Sequence, residues 1–306
     1  LLIVLLISTI VLVSSHFDEF DERIESMPFH QRFRILRDDY MDSSEFLPYN
    51  ITETKRRLTT EYWNRIKDDV THEKLSSIIH KASGYKDAQP FPHMSAMDVF
   101  PSDVMEAVNT EINDNPARTR IDGCVVGGTC YNSNTDDKAK NAFHSEKQYG
   151  PATLAVFTFM QSALFIKFLE KLTGIDGILP DGAYKGAGIH QTLSGGYLNV
   201  HADFNLDRDR NLHRRVNVFL YVNPDWKDEY GGHLELWTKD LKNCTARISP
   251  DLGRLAVFST TDFSYHGHQN ALRCPKDRSR RSLAMYYYSK TRPSEECINN
   301  NCFGYH

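Results

Sequence analysis

The segment that decides the fold is residues 196–205, with the sequence GYLNVHADFN. In a β-strand alternate residues share a face, so His201 and Asp203 are expected to point the same way, into a barrel. Tyr197 and Asn199 share that face. The opposite face is apolar and is expected to meet a packing helix: Leu198, Val200 and Ala202. The segment therefore predicts an imidazole and a carboxylate side by side at the end of a strand.

Short β-rich segments separated by turns surround this stretch after Pro180. The predicted strands are residues 196–201, 215–222, 233–237, 254–258 and 282–288. Turn signals such as Asn223-Pro224-Asp225 and Gly231-Gly232 mark the breaks between them. Strands this short and regularly spaced suggest a barrel or jelly roll. The predicted fold class is a mostly β catalytic core with packing helices and a helical N-terminal region.

The segment before the strands has helical patterns and loops. Residues 61–70 and 73–80 are helical patches, and a further helix is expected after Pro101, with Val104, Val108 and Ile112 on one face. Residues 121–149 have a loop-like composition. From residue 154 to residue 172 apolar positions keep helical spacing, and Gly174 stands where a C-cap belongs. We expect one helix there, covering a sheet.

A metal site needs a third ligand besides His201 and Asp203. Two histidines and one carboxylate on one face of an octahedral metal leave three positions open, as in non-haem iron(II) enzymes. The candidates are His266 and His268 in the sequence Tyr-His-Gly-His, and both fall on one face if the strand continues. The His-x-Asp pair alone is a weak signal, because such pairs are usually only solvated surface groups.

The order of these parts strongly resembles the 2-oxoglutarate/iron(II) oxygenase superfamily, in its prolyl 4-hydroxylase-like branch. The motifs are HADFN, RRVNVFLYVNPDW, GGHLELW, SYHGH and the strand SLAMYYYS preceded by Arg280-Arg281. The match covers residues 143–293. It implies a double-stranded β-helix whose metal ligands, and catalytic residues, are His201, Asp203 and His266, the first histidine of its run. His268 stays open as the distal ligand.

The resemblance also implies a site for the cosubstrate. Arg280 is the expected partner of the distal carboxylate of 2-oxoglutarate, because a guanidinium grips a carboxylate at two points and keeps its charge. Ser282 shares the strand face of Arg280, whereas Arg281 would face the opposite way. Arg278 and Arg281 remain competing cations. Collagen prolyl hydroxylases use lysine here, so this sequence departs from that subgroup.

Tyr221 aligns with a tyrosine that contacts the cosubstrate in some relatives. The alternative interpretation, equally supported, is that Tyr221 is an ordinary aromatic residue of the core.

The implied activity is a dioxygenase that hydroxylates an unactivated C–H bond, with Fe(II), 2-oxoglutarate, O₂ and L-ascorbate as cofactors and succinate and CO₂ as coproducts. The leading substrate is a prolyl residue of a secretory-pathway protein, so a protein or peptide partner is expected. Alternatives are hydroxylation of another residue or a small molecule, and a non-catalytic β-sandwich binding module. The net charge of −4 argues against a nucleic-acid partner, because phosphate binding needs a clustered positive face.

The first residues, LLIVLLISTIVLVSS, are an uncharged apolar run that resembles the core of a signal peptide. A cleaved signal peptide and an uncleaved membrane anchor in a longer native segment are both open, and a buried core helix is the alternative. We therefore expect the protein to be located in the endoplasmic reticulum lumen or to be secreted. The predicted organisation is a leader at 1–16, a helical and loop region at 17–142, the oxygenase domain at 143–293 and a Cys-containing tail at 294–306.

Six cysteines agree with an oxidising compartment. Cys124 with Cys130 and Cys297 with Cys302 could close short loops, which leaves Cys244 with Cys274. Structural zinc is the competing interpretation, although the tight CxxC spacing is absent. Two glycosylation sequons, at Asn50 and Asn243, support the same compartment.

Overall fold

A computed structural model of the chain describes residues 53–114, 120–121, 124–125, 129–131 and 137–298. Five helices lie in these ranges: α1 (Glu53–Asp69), α2 (His72–Lys81), α3 (Ser102–Asp114), α4 (Pro151–Met160) and α5 (Ala163–Thr173). The predicted leader at residues 1–16 and the sequon at Asn50 lie outside the described residues.

The strands are β1 (His93–Ala96), β2 (Arg120–Ile121), β3 (Cys124–Val125), β4 (Thr129–Tyr131), β5 (Asp137–Phe143), β6 (Leu179–Pro180), β7 (Gly188–His201), β8 (Leu206–Asp207), β9 (Leu212–Tyr221), β10 (Leu234–Trp237), β11 (Cys244–Ile248), β12 (Leu255–Ser259), β13 (His266–His268) and β14 (Ser279–Ser289). The main sheet has the order β1-β12-β9-β14-β7-β13-β10-β11, and β5 pairs with β7. Its ladders are antiparallel. The sheet curls into a nearly closed jelly-roll barrel, as expected for a double-stranded β-helix.

The central strands are buried because both of their faces are covered. Every residue of β12 and β14 is buried, although β14 carries Arg280, Arg281 and three tyrosines. One face of this sheet packs against helices, as shown by the hydroxyl of Tyr287, which donates to the carbonyl of Met160 in α4 at 2.6 Å. The other face lines the interior of the barrel. A buried strand that carries charged side chains must therefore give them partners or a ligand.

The helix expected over residues 154–172 is two helices, α4 and α5, which meet at an angle of 52°. Ser162 lies between them, and its hydroxyl accepts a hydrogen bond from the amide of Phe165, which starts a new helix. The expected C-cap at Gly174 is observed, with φ of 72°. By length and apolar composition no single helix among the described residues could cross a membrane, and only this bent pair meets both conditions together.

Two segments expected to be loops or helices join the barrel instead. Residues 93–96 pair with β12, and residues 137–143, inside the expected loop 121–149, pair with β7. Their polar sequences do not predict strands. Their strand conformation comes from pairing with β12 and β7. The alternation expected in β7 is also interrupted. His266 pairs with His201 and His268 with Leu198, so β7 has one extra residue between them. Leu198 consequently lines the interior rather than facing a helix.

The suggested disulfide between Cys244 and Cys274 is not present. Cys244 opens β11 opposite Trp237, whereas Cys274 is buried beside Tyr230 and Leu272. The thiol of Cys274 donates to the carbonyl of Arg278 at 3.6 Å. The pairings of Cys124 with Cys130 and of Cys297 with Cys302 involve side chains outside the described residues and stay predictions. The sequon residue Asn243 is exposed in the turn before β11.

Candidate active site

One cavity inside the barrel, here called the barrel cavity, is enclosed by β5, β7, β9, β13 and β14. Strand register brings its walls together. His190 of β7 lies opposite Ser282 of β14, and Ser282 lies opposite Tyr221 of β9. These three side chains line the barrel cavity. A wider groove of about 530 Å³ adjoins it, and His268 lines both spaces.

His201, Asp203 and His266 form the metal-binding cluster found among the described residues, with one ligand atom from each within 4.8 Å of the others. The Nε2 atom of His201 is 3.5 Å from Oδ1 of Asp203, and Nε2 of His266 is 3.4 Å from Oδ2. The strands dictate this arrangement, because His201 ends β7 directly opposite His266 in β13. Two imidazoles and one carboxylate are the ligand set of an iron(II) facial triad.

The hydrogen bonds of the two imidazoles define where their protons lie. Nδ1 of His201 is 2.8 Å from the carbonyl oxygen of Asn199, and Nδ1 of His266 is 2.9 Å from that of Ser264. A carbonyl oxygen only accepts, so each Nδ1 carries a hydrogen, and the neutral form of each ring would present the lone pair of Nε2 to Asp203. Lone pairs facing a carboxylate repel it. A cation between them removes the repulsion, so the donor set fits a divalent metal.

Burial supports the same protonation state at His266. Removal from water lowers the pKa of His266 to about 4, and the charge of Asp203 opposes this only in part. Burial also disfavours ionisation of Asp203, but Arg214 and the neighbouring histidines hold the pKa of its carboxyl well below the usual range. At neutral pH the cluster therefore offers a neutral imidazole and a carboxylate, which are the forms that bind metals.

Two residues of β9 hold the carboxylate of Asp203. Arg214 donates from Nη2 to Oδ2 at 2.8 Å, and Asn217 donates from Nδ2 to the same oxygen at 2.7 Å. Arg214 also donates from Nε to the side-chain oxygen of Asn217 at 2.8 Å. Its guanidinium lies 3.3 Å from the centroid of the Tyr286 ring. These contacts orient Asp203 and leave Oδ1 on the side of His201.

Gly267 separates the two histidines because the backbone of β7 passes very close to it. A Cβ atom at this position would lie 2.7 Å from the carbonyl oxygen of Asn199 and 2.9 Å from that of Leu198. Any larger residue would push β13 away from β7, and His266 would move away from His201. His268 lies outside the metal-binding cluster of the described residues. Its Nδ1 is buried and has no hydrogen-bond partner.

Arg280 enters the barrel cavity from β14, and Tyr221 and Ser282 line the same wall. Its Nε donates to the carbonyl of Gly232 at 2.6 Å, and its Nη2 donates to the hydroxyl of Tyr221 at 3.1 Å. Gly232 has φ of +74°, and an added Cβ would lie 3.0 Å from Cδ of Arg280. The loop before β10 therefore packs against the side chain of Arg280 and helps to fix the position of its guanidinium.

The two competing arginines lie elsewhere. Arg281 faces away from the barrel cavity, as its strand parity predicts, and its Nη1 donates to the carbonyl of Asn109 in α3 at 3.5 Å. Arg278 binds the carbonyl oxygens of Pro224 and Asp225 at the surface. The barrel cavity therefore contains Arg280 and neither neighbour.

Several residues of the cavity were not identified from the sequence. Arg214 and Asn217 hold Asp203, while Lys140, His190 and Thr192 line the wall. A signal for the first pair exists, because two arginines and an amide residue stand in an otherwise apolar strand at residues 214–221. Lys140 lies in the expected loop region, where no pattern distinguishes it from other surface lysines.

Comparisons with known proteins agree with this geometry. Residues 187–288 match a family model described as the 2OG-Fe(II) oxygenase superfamily. Among solved structures, a Pseudomonas putida prolyl-4-hydroxylase is similar, with 17% identity, coverage of 71% of this chain and 100% of that chain, and a TM-score of 0.47. A search of curated proteins found no match.

A second similar structure is a prolyl hydroxylase from Trichoplax adhaerens, solved in complex with a hypoxia inducible factor oxygen degradation domain peptide fragment. It is 16% identical, covers 71% of this chain and 92% of that chain, and has a TM-score of 0.50. At this identity the similarity shows a shared fold.

Proposed function

We propose that the chain is a 2-oxoglutarate/Fe(II)-dependent dioxygenase that hydroxylates a prolyl residue in a peptide or protein, because residues 187–288 match the family model of the 2OG-Fe(II) oxygenase superfamily. The observation that carries the proposal is one cavity holding both a His-Asp-His cluster and an inward-facing arginine. Iron(II) with 2-oxoglutarate supplies the oxidising power when bound, and succinate and CO₂ are the coproducts.

Each cavity residue has a defined task in this proposal. His201, Asp203 and His266 hold the metal through two imidazole nitrogens and one carboxylate oxygen. Arg280 binds the distal carboxylate of 2-oxoglutarate, with Tyr221 and Ser282 beside it. The buried walls exclude water, which strengthens the attraction between a carboxylate and a guanidinium.

The substrate assignment is supported by the fold and by the adjoining groove. The groove opens next to His268 and is lined by polar and charged residues on both sides, so it can receive an extended peptide. The apolar leader supports a substrate that passes through the secretory pathway. L-ascorbate is part of the same proposal, as a reductant that keeps the iron in its ferrous form.

The test compares His201→Ala with His72→Ala, a replacement of an exposed histidine at the start of α2. We expect the wild-type protein and His72→Ala to bind Mn(II) and, when loaded with Fe(II) in the presence of O₂, to release succinate from 2-oxoglutarate, whereas His201→Ala loses both with an unchanged circular dichroism spectrum. Mass spectrometry then identifies which of a panel of proline-rich and proline-free peptides gains one oxygen atom.

Full metal occupancy and succinate release in His201→Ala would contradict the dioxygenase site. Oxygen incorporation only at residues other than proline would leave the dioxygenase in place and overturn the prolyl assignment.

A further inference from the structure

His268 lies on the wall of the barrel cavity but outside the metal-binding cluster of the described residues. The residue is 4% exposed, and its Nδ1 atom has no hydrogen-bond partner in the part of the chain that the structure describes. The two histidines of the cluster differ from it, because a backbone carbonyl oxygen holds the Nδ1 atom of each. A buried polar atom without a partner has lost its hydrogen bond to water and gained none in return. A ligand is one source of the missing partner.

The position of His268 along the barrel is intermediate between the metal-binding cluster and Arg280. Strand β7 passes all three levels, and its pairs occur in this order along the strand: Thr192 opposite Arg280, Leu198 opposite His268, and His201 opposite His266. A molecule that is held by the metal at one end and by Arg280 at the other must therefore pass His268.

Three observations place His268 beside Arg280 in particular. Both side chains line the barrel cavity. Gly232, whose carbonyl accepts from Nε of Arg280 at 2.6 Å, also lines the adjoining groove together with His268. Burial lowers the pKa of His268 well below its ordinary value, and the charge of Arg280 is the next largest cause. The imidazole therefore shares the end of the cavity that contains the guanidinium.

The hydrogen bonds of Arg280 leave part of a bound carboxylate to another donor. Gly232 accepts from Nε and Tyr221 from Nη2, which leaves Nη1 and one further N–H of Nη2 for a ligand. A carboxylate has two oxygens, which together offer about four acceptor positions. A neutral imidazole has one N–H, and a half-turn about its Cβ–Cγ bond exchanges the two edges of the ring. The ring of His268 can therefore donate to a carboxylate in the cavity without carrying a charge.

We propose that His268 is a second cosubstrate-binding residue, whose ring N–H donates to the distal carboxylate of 2-oxoglutarate beside Arg280. The inference rests on the proposed function and gives a role to the histidine that the metal does not use. The carboxylate supplies the acceptor that the surrounding protein does not offer to the ring. A hydrogen bond to a charged group contributes more than one between neutral groups, so its loss is expected to weaken binding by about tenfold.

The experiment uses His268→Phe, which keeps a planar ring and removes both nitrogens, and His268→Leu, a smaller apolar replacement. Binding of 2-oxoglutarate to the Mn(II)-loaded full chain is measured by calorimetry, so no turnover is needed. His213→Phe is the matched control, because Nδ1 of His213 also has no hydrogen-bond partner but His213 is not among the described residues that line the barrel cavity.

We expect about tenfold weaker 2-oxoglutarate binding in both apolar variants of His268 and no change in His213→Phe. His268→Gln should recover part of the affinity, because its amide keeps an N–H donor. The affinity for Mn(II) should be unchanged in all four variants. Loss of Mn(II) binding in His268→Leu would make His268 a metal ligand and would overturn the inference.

A second ligand locates the contact. 2-Oxobutyrate has the same metal-binding end as 2-oxoglutarate but lacks the distal carboxylate, so His268→Phe should bind it as the wild type does. Equal weakening for both ligands would move the contact to the other end of the molecule and overturn the inference. Unchanged 2-oxoglutarate binding in the apolar variants would also overturn it, while the proposed function would stand. Failure of the Mn(II)-loaded wild type to bind 2-oxoglutarate would refute the proposed function itself.

Discussion

Replacing Arg214 by methionine would leave the carboxylate of Asp203 inside the barrel without its closest counter-charge. The side chain of Arg214 is 2% exposed, that of Asp203 is 14% exposed, and their closest atoms are 2.8 Å apart. Removing one partner of a buried ion pair costs about 3–5 kcal/mol of unfolding free energy, because the remaining charge stays desolvated. For a domain of this size the melting temperature should fall by about 6–20 °C.

Equilibrium unfolding in urea, with a metal chelator present, measures this cost without the stabilisation that a bound metal adds. Arg254→Met is the matched control, since the pair of Arg254 with Asp251 is more exposed and should contribute less than about 1 kcal/mol. The double variant Arg214→Met/Asp203→Asn contains no uncompensated charge and should be more stable than Arg214→Met. A loss in Arg214→Met no larger than that in Arg254→Met would refute the reasoning, as would a double variant that recovers nothing.

Three further predictions concern the cavity wall. Arg280→Ala should raise the 2-oxoglutarate requirement by at least about tenfold while Mn(II) still binds, and a larger effect of Arg281→Ala would contradict the strand register. His266→Ala should abolish Mn(II) binding measured by electron paramagnetic resonance, whereas His268→Ala should retain it; the reverse would reassign the distal ligand. The third prediction concerns the dependence of stability on pH.

Burial, and then Lys140, keeps the pKa of His190 well below its ordinary value, so only the unfolded chain takes up this proton below about pH 6.5. The free energy of unfolding should therefore decrease as the pH is lowered. Urea unfolding of His190→Gln should show a smaller decrease of this free energy between about pH 7.5 and pH 5 than the wild type shows. An equal decrease would exclude His190 as a cause.

Much of the barrel could be predicted from local patterns. Period-two alternation and turn residues located β7, β9, β10, β12 and β14, because each signal acts over a few neighbouring residues. Strands β1 and β5 were missed for the opposite reason. Their polar sequences carry no alternation, and their hydrogen bonds come from β12 and β7, far away along the chain.

The break between α4 and α5 was also missed. The helical spacing of apolar residues continues across Gln161 and Ser162, as it would in one uninterrupted helix. Only the local cap at Ser162 shows that a second helix begins. The spacing reports which face is buried. It does not report whether the backbone continues straight, because a bent pair of helices buries the same positions.

Residue types in a fixed order and strand parity were sufficient to predict the mostly β fold, the resemblance to the 2-oxoglutarate/Fe(II) oxygenase superfamily and the candidates His201, Asp203 and Arg280. The folded structure was needed to show that His266 rather than His268 lies beside Asp203, that Arg214 and Asn217 hold that carboxylate, and that Lys140 and Arg280 line the same cavity. Those relations join residues from different strands. Their geometry follows from bulges and register, which shift a side chain from one position to another without any change in local sequence pattern.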